Sequence, residues 1–157
     1  IKEDLSAYEK TIWIDLHTGY GENGKLHLLA NDSQSENGKR LNSFFVNAKI
    51  DFGEDKKFYK TSGDLAGYLA TLNQSKNTVT SLVFEYGTLN SQSTLGSIES
   101  LRRMVLENQG YQNKYADEDS NVAIHQLFKE MFFPESPEWQ EKIVQQTESV
   151  LKNVVFN

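Results

Sequence analysis

The sequence predicts an α/β fold, and three observations carry that prediction. Residues 10–17 alternate, with Ile12, Ile14 and Leu16 out of phase with Trp13, Asp15 and His17, the period of a strand with two unlike faces. Residues 78–86 concentrate β-branched and apolar side chains and end at Gly87-Thr88, which marks a second strand. The last third of the chain instead spaces its apolar residues three and four apart, as helices do.

The elements follow in order. Residues 1–9 are mixed polar and read as a short helix before the first strand. A glycine-rich turn, Thr18-Gly19-Tyr20-Gly21-Glu22-Asn23-Gly24, leads into a further strand over residues 25–30. Residues 31–39 are polar turn material. Residues 40–50 are expected to form a helix burying Leu41, Phe44, Phe45 and Ala48, and residues 51–60 a charged connection. A short helix over 63–72 places Leu65, Leu69 and Leu72 on one side. Residues 74–77 read as a loop. Ser97 is a candidate N-cap for a helix over 97–108 with Ile98, Leu101 and Val105 in period, and residues 111–120 are polar. A helix over 121–133 stops before Pro134. Ser136-Pro137-Glu138 opens a last helix, to residue 155, with Ile143, Val150, Leu151 and Val154 inward. Two or three strands make a thin sheet for so many helices, so either this reading misses strands or part of the sheet lies outside this chain.

Composition narrows function. At roughly 150 residues per domain, 157 residues make one domain. Sixteen basic and 22 acidic residues give a net charge of −6, and the only arginines are Arg40, Arg102 and Arg103, which argues against a nucleic-acid binder driven by phosphate neutralisation on a clustered basic face. The absence of cysteine removes disulfides, thiolate metal sites and cysteine nucleophiles, while leaving the compartment open. No apolar stretch approaches the ~18 residues of a membrane span. The chain opens Ile1-Lys2-Glu3-Asp4 rather than with methionine, and its natural N-terminus is expected upstream.

Candidate chemistry gathers at the ends of the two best strands. Asp15 and His17 share a strand face beside the glycine loop, and a carboxylate next to an imidazole can fix its tautomer. Glu85 closes the other strand, where an acid is costly to bury unless paired, coordinated or meant to titrate; the bland alternative points it into solvent. Should the strands run parallel, His17 and Glu85 could share a cleft. Gly19-x-Gly21-x-x-Gly24 matches the dinucleotide fingerprint by letter. It lacks both the following helix and an acid some 20 residues on, so the glycines are read as a tight turn. His27 is placed on a strand surface and His125 on a helix, and neither completes a metal set. Phe44, Phe45, Phe128, Phe132 and Phe133 are expected in the core, and residues 51–55 in a solvated loop.

Trp13-Ile14-Asp15-Leu16-His17-Thr18-Gly19-Tyr20-Gly21 resembles the Asp-Leu-His-Thr-Gly signature of the DUF2817 family, which is grouped with M14-type zinc carboxypeptidases and the succinylglutamate desuccinylase–aspartoacylase proteins. Phe84-Glu85-Tyr86-Gly87-Thr88 resembles its second signature. Phe132-Phe133-Pro134 with Pro137-Glu138-Trp139 resembles its Phe-aromatic-Pro…Pro-x-Trp ending. The resemblance implies the C-terminal part of a zinc-carboxypeptidase-like (phosphorylase/hydrolase-like) mixed-sheet domain with helices packed on the sheet. It further implies zinc-dependent hydrolysis of an amide bond in a peptide or N-acyl amino acid, with His17 a zinc ligand and Glu85 the catalytic carboxylate that serves the bound water. Asp15 is assigned a supporting place behind His17. The family's other two ligands form an upstream His-x-x-Glu motif that this sequence lacks, so zinc is expected in the intact protein and weakly or not at all here. The N-terminal portion is then a partner of this chain, and an exposed sheet edge makes self-association plausible. Two alternatives stand: a non-catalytic peptidase-like binding or structural domain, and a metal-free glycosidase using Asp15 and Glu85.

Overall fold

A computed structural model of the chain describes residue 5 and residues 7–53, 63–72 and 78–155. Among them lie four strands, β1 (Lys10–Gly19), β2 (Leu26–Ala30), β3 (Ile50–Phe52) and β4 (Thr78–Gly87). Five helices accompany them: α1 (Glu36–Phe44), α2 (Leu65–Ala70), α3 (Thr94–Asn113), α4 (Glu118–Phe132) and α5 (Pro137–Lys152). The α/β prediction holds. The strands form one mixed sheet in the order β1-β4-β2-β3. At their starts Thr78 N–H donates to the Glu9 carbonyl, and at their ends the Thr88 hydroxyl lies 3.3 Å from the Gly19 carbonyl, so β1 and β4 run parallel. Gly24 and Lys25 exchange backbone bonds with Gly87, which sets β2 antiparallel to β4. β2 and β3 are parallel, with Leu28 opposite Ile50 and Leu29 opposite Asp51.

The chain divides into two compact units. One comprises Ile1–His17, His27–Phe84 and Glu148–Asn157. Its core holds Leu28, Leu41, Phe44, Phe45, Ile50, Leu69, Val79, Leu82 and Phe84, with Phe45 and Phe84 meeting edge to face. Trp13 and Leu72 pack against Leu5, Leu69 and Val79. Side chains also tie α1 to β4: Asn37 both donates to the Ser81 carbonyl and accepts its N–H, and Arg40 donates to Thr80. The other unit comprises Thr18–Leu26 and Glu85–Thr147, in which α3 packs on α4.

Most helix starts are specified locally. Ser35, Asp64, Ser93 and Asp117 each accept the N–H three residues on, satisfying donors that a helix cannot satisfy itself. Three of those N–H groups belong to glycines. At Gly38 and Gly96 a β-carbon would collide with the preceding loop, whose carbonyls fold back over the helix start.

Several boundaries and faces differ from the sequence reading. α1 starts at Glu36 and stops at Phe44, because Ser35 caps it early, and residues 50–52 then form β3. Asp51 is accordingly buried in a strand rather than solvated, paired with Lys49 Nζ at 2.5 Å and with His27 Nδ1 at 3.6 Å. His27 is buried with it instead of lying on the surface. In α2 the buried pair is Ala66 and Leu69, and Leu65 is exposed. α3 is capped by Ser93, not Ser97, and leaves Ile98, Leu101 and Val105 exposed. Phe132, Phe133 and Leu151 are also exposed, because the amphipathic faces of α4 and α5 are turned to bury Met131 and Trp139. The readings for residues 1–4 and for residues 54–60 and 74–77 lie outside the described residues.

An ion-pair relay fastens α3 to α4. Glu99 accepts from Arg102 and Arg103, and Arg103 in turn donates to the Leu127 carbonyl at 2.9 Å. The two guanidiniums, Arg102 first, hold the Glu99 carboxyl down at about 2. Because that value lies below the ordinary 4.5, the stabilisation is complete above pH 4.5 and is lost as pH falls from there toward 2. Glu99 is a third exposed, so solvent screening limits the gain to about 0.5–1 kcal/mol. Glu99→Gln is expected to lower the unfolding free energy from urea titration at pH 7 by that amount, and the difference from wild type should shrink below pH 4.5 and vanish below pH 2.

Candidate functional site

β1 carries its polar pair at the C-terminal end. Alternation places Asp15 and His17 on one face, and the structure brings Asp15 Oδ2 to 3.2 Å from His17 Nε2. Half of the His17 side chain is exposed while Asp15 is mostly covered, so the imidazole stands at the surface backed by a carboxylate. The expected pairing of these two residues is therefore present, and a carboxylate on one ring nitrogen orients the ring and selects its tautomer.

Glu85 sits in the opposite setting, in the unit formed by Thr18–Leu26 and Glu85–Thr147. It is 5% exposed, and its Oε1 accepts the Tyr20 backbone N–H at 2.9 Å. The solvent-pointing alternative for this residue is thereby excluded. An N–H directed at a carboxylate oxygen is a charge-assisted bond, stronger than a neutral one, and it sets the direction of the carboxyl group.

The glycine loop is built around that bond. Gly19, Gly21 and Gly24 all take positive φ, at 123°, 118° and 68°, which lets the chain turn back from β1 into β2 within a few residues. Its amides are committed to the end of β4 and the segment that follows it: Gly21 N–H donates to Ser91 Oγ, Asn23 N–H to Asn90 Oδ1 and Gly24 N–H to the Gly87 carbonyl. The Asn23 amide side chain donates to the Thr88 carbonyl. In a dinucleotide site these N–H groups would face a pyrophosphate ahead of a helix. Here they are spent inside the protein and a strand follows, which bears out the tight-turn reading.

The end of β4 is held from a second side by α4 and α5. The Trp139 indole N–H donates to the Gly87 carbonyl at 2.9 Å, the buried Thr88 hydroxyl donates to the Met131 carbonyl at 2.6 Å, and Tyr86 shares a hydrogen bond with Thr147. Gln146 accepts from Leu26 N–H and donates to the Gly24 carbonyl. At Gly87 a β-carbon would strike the Glu22 carbonyl, so only glycine lets loop and strand approach. The sequence reading missed Asn90 and Ser91, the acceptors that organise the loop. Their signal was the turn-forming Asn-Ser pair just beyond a strand exit.

The other histidines lie elsewhere, His27 against Asp51 and His125 against Glu107, with Nδ1 at 2.7 Å. A catalytic zinc normally takes three protein ligands and a water. Among the described residues no group of three His, Asp or Glu side chains could hold a metal ion, so the residues present do not fit a complete zinc centre by themselves. No helix among the described residues is long and apolar enough to cross a membrane.

Fold and site together define an α/β protein with a glycine loop clamped onto a buried acid at a strand end. Residues 1–146 match the family model described as "Protein of unknown function (DUF2817)". The chain belongs to that family. No curated protein and no solved structure matches it.

Gly87→Ala is expected to part the loop from β4. We expect about 1–3 kcal/mol of destabilisation from overpacking against backbone that cannot yield, read from the urea midpoint, and loss of amide protection at Tyr20 and Gly24.

Proposed function

We propose that the intact protein to which this chain belongs is a hydrolase of M14-carboxypeptidase type, cleaving the amide bond of a peptide or N-acyl amino acid. The observation that carries this reading is the buried Glu85 carboxylate, oriented by the Tyr20 N–H at the exit of a strong strand. A carboxylate so held can take a proton from the attacking water and return it to the departing amine, leaving a free carboxylate and a free amine. His17, backed by Asp15, would serve as one ligand of a zinc ion whose other ligands come from a portion of the protein outside this chain. Because one imidazole makes no zinc site, zinc belongs in this reading to the intact protein, and Glu85's proton transfers are this chain's own part.

A second reading has an observation in its favour. The Glu85 carboxylate already has a task, pinning the glycine loop, and no three-ligand group accompanies it among the described residues. A non-catalytic peptidase-like domain, binding or structural, would use Glu85 for that alone. The metal-free glycosidase is carried no further, since it gives the Asp15–His17 pair no role.

Glu85→Gln keeps an oxygen to accept the Tyr20 N–H and removes the base. In the intact protein it is expected to lower hydrolysis by about 10²–10⁴-fold while zinc, measured by elemental analysis, stays bound. Undiminished turnover would remove Glu85 from the chemistry. No turnover by the unmodified protein on a panel of peptides and N-acyl amino acids would favour the non-catalytic reading. The 157-residue chain alone is expected to hold well under one equivalent of zinc after dialysis.

A further inference from the structure

The third signature, Phe132-Phe133-Pro134 with Pro137-Glu138-Trp139, lies far along the chain from Glu85, and nothing in the proposed reaction uses it. The structure shows where it acts. Trp139 is buried and its indole N–H donates to the carbonyl of Gly87, two residues beyond Glu85. Thr88, wholly buried, donates to the Met131 carbonyl at 2.6 Å and lies 3.3 Å from the carbonyl of Gly19, the residue before Tyr20. The Phe132 ring packs over Gly19, where a β-carbon would lie 3.4 Å from it. The Glu85 carboxylate and the N–H that orients it are thus fastened from the same direction, one through Gly87 and Thr88 and the other through Gly19.

We propose that Thr88 and Trp139 are positioning residues that hold the Glu85 carboxylate on the Tyr20 N–H, so that the end of α4 and the start of α5 set the direction of the acid. Both act through the backbone, and neither reaches a substrate. The consequence for catalysis rests on the reading of Glu85 as the base. The consequence for the hydrogen bond does not. A buried tryptophan with a committed N–H has few substitutes. A small displacement of a reacting group can cost about a hundredfold in rate.

The test separates the two consequences. Amide hydrogen exchange and the Tyr20 proton shift are measured on the 157-residue chain as wild type, Thr88→Val, Thr88→Ser and Trp139→Phe. Tyr20 exchange is expected to quicken about tenfold in Thr88→Val and Trp139→Phe, with its proton moving upfield, as a locally opened bond allows. Thr88→Ser keeps the hydroxyl and should restore both. The Gly96 amide, which donates to Ser93 in the same unit, should keep its protection in all three variants. In the intact protein, kcat is expected to fall about tenfold to a hundredfold in the same two variants, with KM little changed and the acid limb of the pH profile displaced. Unchanged Tyr20 exchange in both variants overturns the inference, whatever the activity. Equal loss at Tyr20 and Gly96 overturns it as well, since the effect is then general unfolding. Faster Tyr20 exchange with unaltered hydrolysis upholds the positioning and removes Glu85 from the reaction. Should Trp139→Phe fail to fold, the Thr88→Val and Thr88→Ser pair decides alone.

Discussion

The peptide group of Gly87 is the constraint on which the second unit depends. Its N–H donates to the Lys25 carbonyl, and its carbonyl accepts from both Gly24 N–H and the Trp139 indole. Three segments distant in sequence meet on one residue, and that residue has to lack a side chain because the Glu22 carbonyl occupies the space. A backbone group that is buried must find partners, and here those partners are what draw loop, strand and α5 together. Glu85 owes its setting to this. It is covered because the strand end is covered, and its carboxylate meets the Tyr20 amide where the loop folds back on that end.

The two candidate residues are treated in opposite ways by their surroundings. His17 stands half exposed with a carboxylate beside it, the disposition of a group that can meet something from outside. Glu85 is withdrawn from solvent, where electrostatic interactions strengthen and where an acid needs a committed donor. One is a surface imidazole and the other a sheltered carboxylate, each with a committed polar partner.

Much of the architecture was legible because the period of hydrophobicity is a local property. β1 and β4 were read within two residues, and α4 was read to within one residue at its end, before Pro134, and three residues late at its start. What escaped was decided by contacts far apart in sequence. β3 is three residues long, too short to show alternation, and it is recognisable only through its partner β2. The strip of Ile98, Leu101 and Val105 shows helical spacing whether or not anything covers it, so periodicity could not tell that it faces outward. His27 looked like a surface residue because its partner Asp51 lies 24 positions away, in the strand that was not seen. At the site, Asp15 beside His17 follows from the pleat alone. The buried state of Glu85, by contrast, depends on Tyr20, Ser91 and Trp139, which no spacing rule links.

That short β3 repays a closer look. Its middle residue is an acid, set opposite Leu29 in the sheet and joined to Lys49 and His27. Side chains in a strand alternate between faces, so slipping by one position would carry Asp51 to the other face and away from His27 on β2. An all-apolar tripeptide could pair with β2 in more than one alignment at similar energy. A buried acid makes the one-residue slip expensive, so an element with almost no length of its own still carries a marker of its alignment.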